Sequence, residues 1–186
     1  MADQVYLSCW LRGFTERKAL PAFEVALSQF PFSRLAPAAT LRVHAIAFSE
    51  PPLLEQRFEQ ETEAADIVDA AHDFENADCA YLIETAWDLL QYERRDWRLR
   101  PAPVTITCFA PEFETEYGDQ IRVEFGPDSL YMPDEDSNLF AIQSNIRSLL
   151  RYAEDLRAAL PVEKALLWSE SGGNLAERLR ETLEEV

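Results

Sequence analysis

Glycine is scarce in this chain, with five residues in 186. Loops that cradle phosphate need glycines at fixed spacing, and neither Gly-x-x-x-x-Gly-Lys nor Gly-x-Gly-x-x-Gly occurs. Gly-x-Ser-x-Gly and His-Glu-x-x-His are absent too, so the sequence signatures of serine hydrolases and zinc peptidases are missing. Histidine appears twice, at His44 and His72. Cysteine appears three times, at Cys9, Cys79 and Cys108, with no Cys-x-x-Cys pair. A zinc site of ordinary spacing lacks ligands here, and no metal or other cofactor is expected. Scattered cysteines, odd in number and partly within apolar strand patterns, read as buried free thiols. Base is short against acid: 17 Lys and Arg face 34 Asp and Glu, for a net charge of −17. Such a polyanion repels phosphate backbones and anionic membrane surfaces, so neither nucleic acid nor membrane is an expected partner. No apolar run reaches the roughly 20 residues needed to span a bilayer. The opening Met-Ala-Asp-Gln carries no signal-peptide pattern, and a cytoplasmic protein is expected.

What is present is apolar mass: 47% of the residues are hydrophobic and 11% aromatic, enough for a sizeable core. The clearest pattern runs from Val104 to Met132. Val104, Ile106 and Cys108 alternate with threonines, and Ile121, Val123 and Phe125 alternate with Arg122 and Glu124. Strict period two with β-branched and aromatic residues reads as half-buried antiparallel strands. The connection from Ala110 to Gln120 is too long for a tight hairpin and is expected to be an exposed loop. Gly126-Pro127-Asp128 is a turn signal, and Ser129 to Met132 would return as a short third strand. The result is a β-meander with one wet face.

The first ninety residues supply more elements. Val5 to Leu11 alternates as a strand, and a helix with Leu20, Phe23, Leu27 and Phe30 follows. Pro21 is tolerated best in a first turn, so the regular helix is expected to start near Leu20. Thr40 to Phe48 is a strand and Leu53 to Phe58 a short edge strand beside Pro51-Pro52. Thr62 caps a helix to Glu75. Cys79 to Gln91 favours a strand, with its Ala, Glu and Leu content keeping a helix open. This β-α-β-β-α-β order resembles the ferredoxin-like arrangement. Beyond the meander, a long helix over Ser137 to Leu160 and a last one from Leu175 carry apolar stripes. The expected fold is α+β, an antiparallel sheet with a ferredoxin-like start, extended by the meander and covered by C-terminal helices. Residues 1–186 read as one composite domain, with 1–91 the ferredoxin-like half and 92–186 a possible sub-domain.

Four groups carry candidate chemistry. From Glu112 to Asp136 there are nine acids against one base, Arg122. Glu112, Glu114 and Glu116 in that stretch suit a solvated loop, a dock for a basic protein partner, or a hard-cation site. Arg94, Arg95, Arg98 and Arg100 alternate with Trp97 and Leu99, a run suited to carboxylate or phosphate and equally to the chain's own acids. Trp97 and Arg98 join the three glutamates as partner-binding candidates. His44 and Asp88 are the candidate catalytic residues, by residue type alone. Ser171-Gly172-Gly173-Asn174 reads as a turn with Asn174 as cap. The expected function is a non-enzymatic protein-binding or oligomerising domain. The alternative is an enzyme or small-molecule binder with a polar site around His44, Asp88 and Arg94–Arg100.

Overall fold

The computed structural model describes residues 3–133, 138–170, 172 and 174–184. The protein is α+β. A seven-stranded, wholly antiparallel sheet carries helices on one face. Its elements are β1 (Gln4–Leu11), α1 (Glu16–Gln29), β2 (Ala39–Ala45), β3 (Leu54–Phe58), α2 (Ala64–Ala71), β4 (Cys79–Glu93), β5 (Asp96–Phe109), β6 (Ile121–Pro127), α3 (Leu139–Ala159), β7 (Val162–Ser169) and α4 (Leu175–Glu184).

The strands run in the order β3-β2-β4-β5-β6-β1-β7. The expected β-α-β-β-α-β order of elements is present through β4. Its strand pairing is not ferredoxin-like, because β5 and β6 lie between β4 and β1. The cause is the length of β4 and β5, which pair along fourteen residue positions from Ala80↔Phe109 to Glu93↔Asp96. β5 thereby takes the place beside β4, and β1 instead joins β6 and β7. Cys79 to Gln91 is therefore strand, not helix.

Alternation decides what each face does. Val5, Leu7 and Cys9 of β1, Leu41 and Val43 of β2, and Tyr81, Ile83 and Trp87 of β4 face the helices. So do Val104, Ile106 and Cys108 of β5 and Ile121, Val123 and Phe125 of β6. α1 and α3 cover them with Leu20, Phe23, Leu27, Ile146, Leu149 and Leu156. Tyr152 of α3 donates from its hydroxyl to the Ala26 carbonyl of α1 at 2.8 Å. Buried Asn145 grips Leu90 of β4 through both its N–H and its carbonyl, and the Leu130 carbonyl as well. A buried amide with all these partners fixes helix against sheet.

Several local expectations change. α1 begins at Glu16, so Pro21 stands inside it. Pro21 is exposed, so only one main-chain bond is lost, and the buried face of α1 holds the helix regardless. Ser129 to Met132 is no strand: Asp128–Leu130 forms a 3-10 turn, released by Gly126 at φ +80°. α2 starts after Glu63 and Thr62 does not cap it; the Thr62 hydroxyl donates to Gln60 O instead. Val162–Ser169 forms edge strand β7. Ser137, Ser171, Gly173 and the Asp134-Glu135-Asp136 acids lie outside the described residues. No described helix is long and apolar enough to cross a membrane.

Candidate functional site

The sheet face away from the helices is the place where side chains of different elements gather. It carries His44, Arg42, Glu84, Phe109, Arg122, Glu124, Tyr6 and Trp168 by strand alternation. The loop between β5 and β6 folds onto one end of it. Phe113 is buried and meets Phe109 at 5.7 Å and Phe48 at 5.0 Å between ring centres. Phe48 in turn packs edge-on against His44. Arg122 lies between two rings, 5.1 Å from Phe109 and 5.3 Å from Tyr117. Tyr117 meets Trp168 at 5.2 Å, and Trp168 stacks on Tyr6 at 4.3 Å. Rings and one guanidinium thus form a band across the sheet, each contact of a favourable type.

The loop is tied down at both ends. Ala110 N–H donates to Cys79 O and Glu112 N–H to Ala77 O. At the other end Gln120 N–H donates to Cys9 O, and the Gln120 side chain accepts from Leu11 N–H. Trp10 donates from its indole to Tyr117 O. Asp119, only 1% exposed, takes a two-pronged ion pair from Arg122 at 2.8 and 2.6 Å. The expectation of an exposed loop therefore holds for Glu112, Glu114 and Glu116, which face solvent, and fails for Asp119 and for the anchored frame.

Beside this loop, the β2–β3 connection presents apolar groups. Ile46 is 66% exposed and sits at φ +69°, a conformation unusual for a β-branched residue. Phe48 and Leu53 are exposed as well. Ile46 N–H donates to Asp78 O, next to the residues that hold Glu112, so the two segments are neighbours.

The other candidates are separated. His44 is buried, and its Nδ1 lies 3.3 Å from the Glu50 carbonyl. It pairs in register with Ala80, eight residues along β4 from Asp88, or roughly 25 Å of strand. Asp88 holds a turn: it accepts from the Ser33 hydroxyl at 2.5 Å and from Arg34 N–H at 2.9 Å. Ser33 Oγ also accepts from Leu35 and Ala36 N–H. These groups line or adjoin a cleft of about 360 Å³ between the end of α1 and the start of α2, in which the serine is wholly engaged by structural bonds. Arg100 lies across from Leu89 and binds Glu93, on the opposite face of the hairpin from Asp88. Arg98 pairs with Asp96 and Arg94 with Glu93. Three arginines of the run, Arg94, Arg98 and Arg100, thus serve the chain's own acids near the hairpin tip. Trp97 is half-buried against Tyr92 there, twelve residues along β5 from Phe109. Trp97 and Arg98 therefore form no single patch with Glu112, Glu114 and Glu116.

Burial raises the thiol pKa of Cys9 to about 12 and that of Cys79 to about 11, and pushes Cys108 up as well. All three are free, buried thiols. Among the described residues, no three His, Cys, Asp or Glu side chains gather as a metal-binding group. Sequence reasoning missed the aromatic band and the Asp119–Arg122 clamp. Phe113 and Tyr117, two large rings inside an acidic run, were the available signal. No family model matches this chain, and neither does any curated protein or solved structure.

Proposed function

We propose that this chain is a non-enzymatic, acidic protein-binding domain that docks a basic partner at the loop between β5 and β6. One observation carries the reading: three glutamates project from a loop whose backbone is pinned by Phe113, Tyr117 and the Asp119–Arg122 pair. A merely solvated acidic loop has no need of such anchoring. A pinned one binds without the entropic cost of ordering itself. The neighbouring Ile46 and Phe48 add exposed apolar groups beside the charged ones, and interfaces draw on both. The net charge of −17 favours association with a basic surface and disfavours nucleic acid. A cytoplasmic setting accompanies the proposal, on the three free thiols.

The test is affinity capture with the wild type and with an E112Q/E114Q/E116Q variant, each also at raised salt. Basic partners held by the wild type should be lost from the variant and at high salt. The same partners recovered equally by both overturn the reading.

A further inference from the structure

The second feature that asks for a partner is the outer edge of β7. Among the described residues, β7 pairs as a strand with β1 alone. Its register shows which groups are left over. Cys9 O accepts from Gln120 N–H, so the odd-numbered residues of β1 turn toward β6. The even-numbered residues turn toward β7, and Ser8 pairs there with Leu166. Alternation then points the N–H and C=O of Ala165 and Leu167 outward. Exposed Arg157 donates to the outward carbonyl of Ala165 at 3.3 Å.

A cleft of about 610 Å³ runs along this edge. It is lined by both Leu166 and Leu167. Neighbouring strand residues point to opposite faces, so a cleft touching both lies on the backbone edge and on neither face. Its far wall is α4, which contributes Leu175, three glutamates (Glu177, Glu181 and Glu184) and one base, Arg180, so the wall stays net acidic. Those glutamates are spaced by four and three and share one side of the helix. α4 belongs to the helix-bearing face, where Leu175 and Leu179 join the core and Gln143 of α3 donates to Thr182 O. On the opposite face the edge shows Leu166, 45% exposed.

We propose that β7 receives an extended segment of another protein as an eighth strand, with basic side chains toward α4 and apolar ones beside Leu166. Main-chain bonds to Ala165 and Leu167 supply affinity, and the two walls supply choice, the division of labour of strand addition. Lysine stems cover Leu167 and Leu175 while their heads reach Glu177, Glu181 and Glu184. A second copy fits less well: each chain carries −17, and its own β7 offers Lys164 as the lone base against these acids. This site is distinct from the acidic loop, and its test is separate.

The probe is a synthetic peptide of alternating valine and lysine, long enough to span β7. Its counterpart is N-methylated at alternate amides on the protein-facing side. Saturable binding to the wild type is expected, weakened about tenfold by N-methylation and to a similar degree by A165P, which removes an outward N–H and no ladder bond. Slowed amide exchange at Leu167 should accompany binding. A thermal melt checks that A165P folds, and the peptide pair decides the matter if it does not. Absence of saturable binding overturns the proposal, as does equal binding by the methylated peptide. Loss of binding in E112Q/E114Q/E116Q with A165P unaffected places the peptide on the loop and overturns it. A wild-type dimer in light scattering that A165P dissociates makes the occupant a second copy, and overturns it too.

Discussion

Two acidic residues on the sheet's open face carry opposite consequences. Asp119 is buried and satisfied by Arg122. Its replacement by asparagine leaves the guanidinium half-paired between Phe109 and Tyr117. D119N should cost about 2 kcal/mol in denaturant unfolding. It should also speed protease cleavage within residues 111–118, because the loop loses its anchor. Glu124 is raised above its ordinary 4.5, first by burial and then by Glu170, with Arg122 opposing. A carboxyl raised in the fold contributes stability while protonated and loses that contribution as pH rises through its folded value. E124Q should therefore be more stable than the wild type at neutral pH, by less than about 1 kcal/mol. The gain should vanish below the ordinary carboxylate range, as thermal melts across pH will show. Neither role was legible in sequence. Asp119 reads there as one more charge in an acidic run: alternation puts Arg122 on the wet face of its strand, but only the folded loop brings Asp119 back against it.

At the scale of elements, the strands with strict alternation were readable, and so was the apolar stripe of α3. Turns that break the residue preferences were not. β4 and β5 join through a two-residue turn at Arg94 and Arg95, with φ of +52° and +68°. Asn-Gly is the usual signal for such a turn, and two arginines conceal it. The ion pairs of Arg94 with Glu93 and of Arg100 with Glu93 explain part of the arginine content. They leave the left-handed backbone uncompensated. An R94N/R95G variant should gain about 1 kcal/mol in chemical denaturation, with the Arg100–Glu93 pair intact. A loss of stability would show that the arginine side chains contribute more than the turn costs. The ferredoxin-like reading failed for a related reason. Element order follows from local periodicity, while strand neighbours depend on which hairpin is long enough to claim the centre of the sheet.

For the whole molecule, charge is the dominant quantity. A net −17 on 186 residues places many acids within one screening length of each other. Specific pairs such as Arg42 with Glu55 and Glu84 offset a small part of that repulsion. Raising ionic strength from about 0.01 M to about 0.15 M should lift the thermal midpoint, and should do so without changing the folded far-UV spectrum. A midpoint that falls would mean that local ion pairs outweigh the general repulsion.

The position of β1 between β6 and β7 has a consequence in time. During synthesis β1 emerges before the other strands of this sheet, yet both strands that pair with it lie more than a hundred residues later in the chain. The hairpin of β4 and β5 can close as soon as it emerges, whereas Val5, Leu7 and Cys9 must wait, with their apolar face uncovered, until β6 arrives. Closure over such separations is slow, and an unpaired apolar strand is the form in which a nascent chain is most open to chaperones and to aggregation.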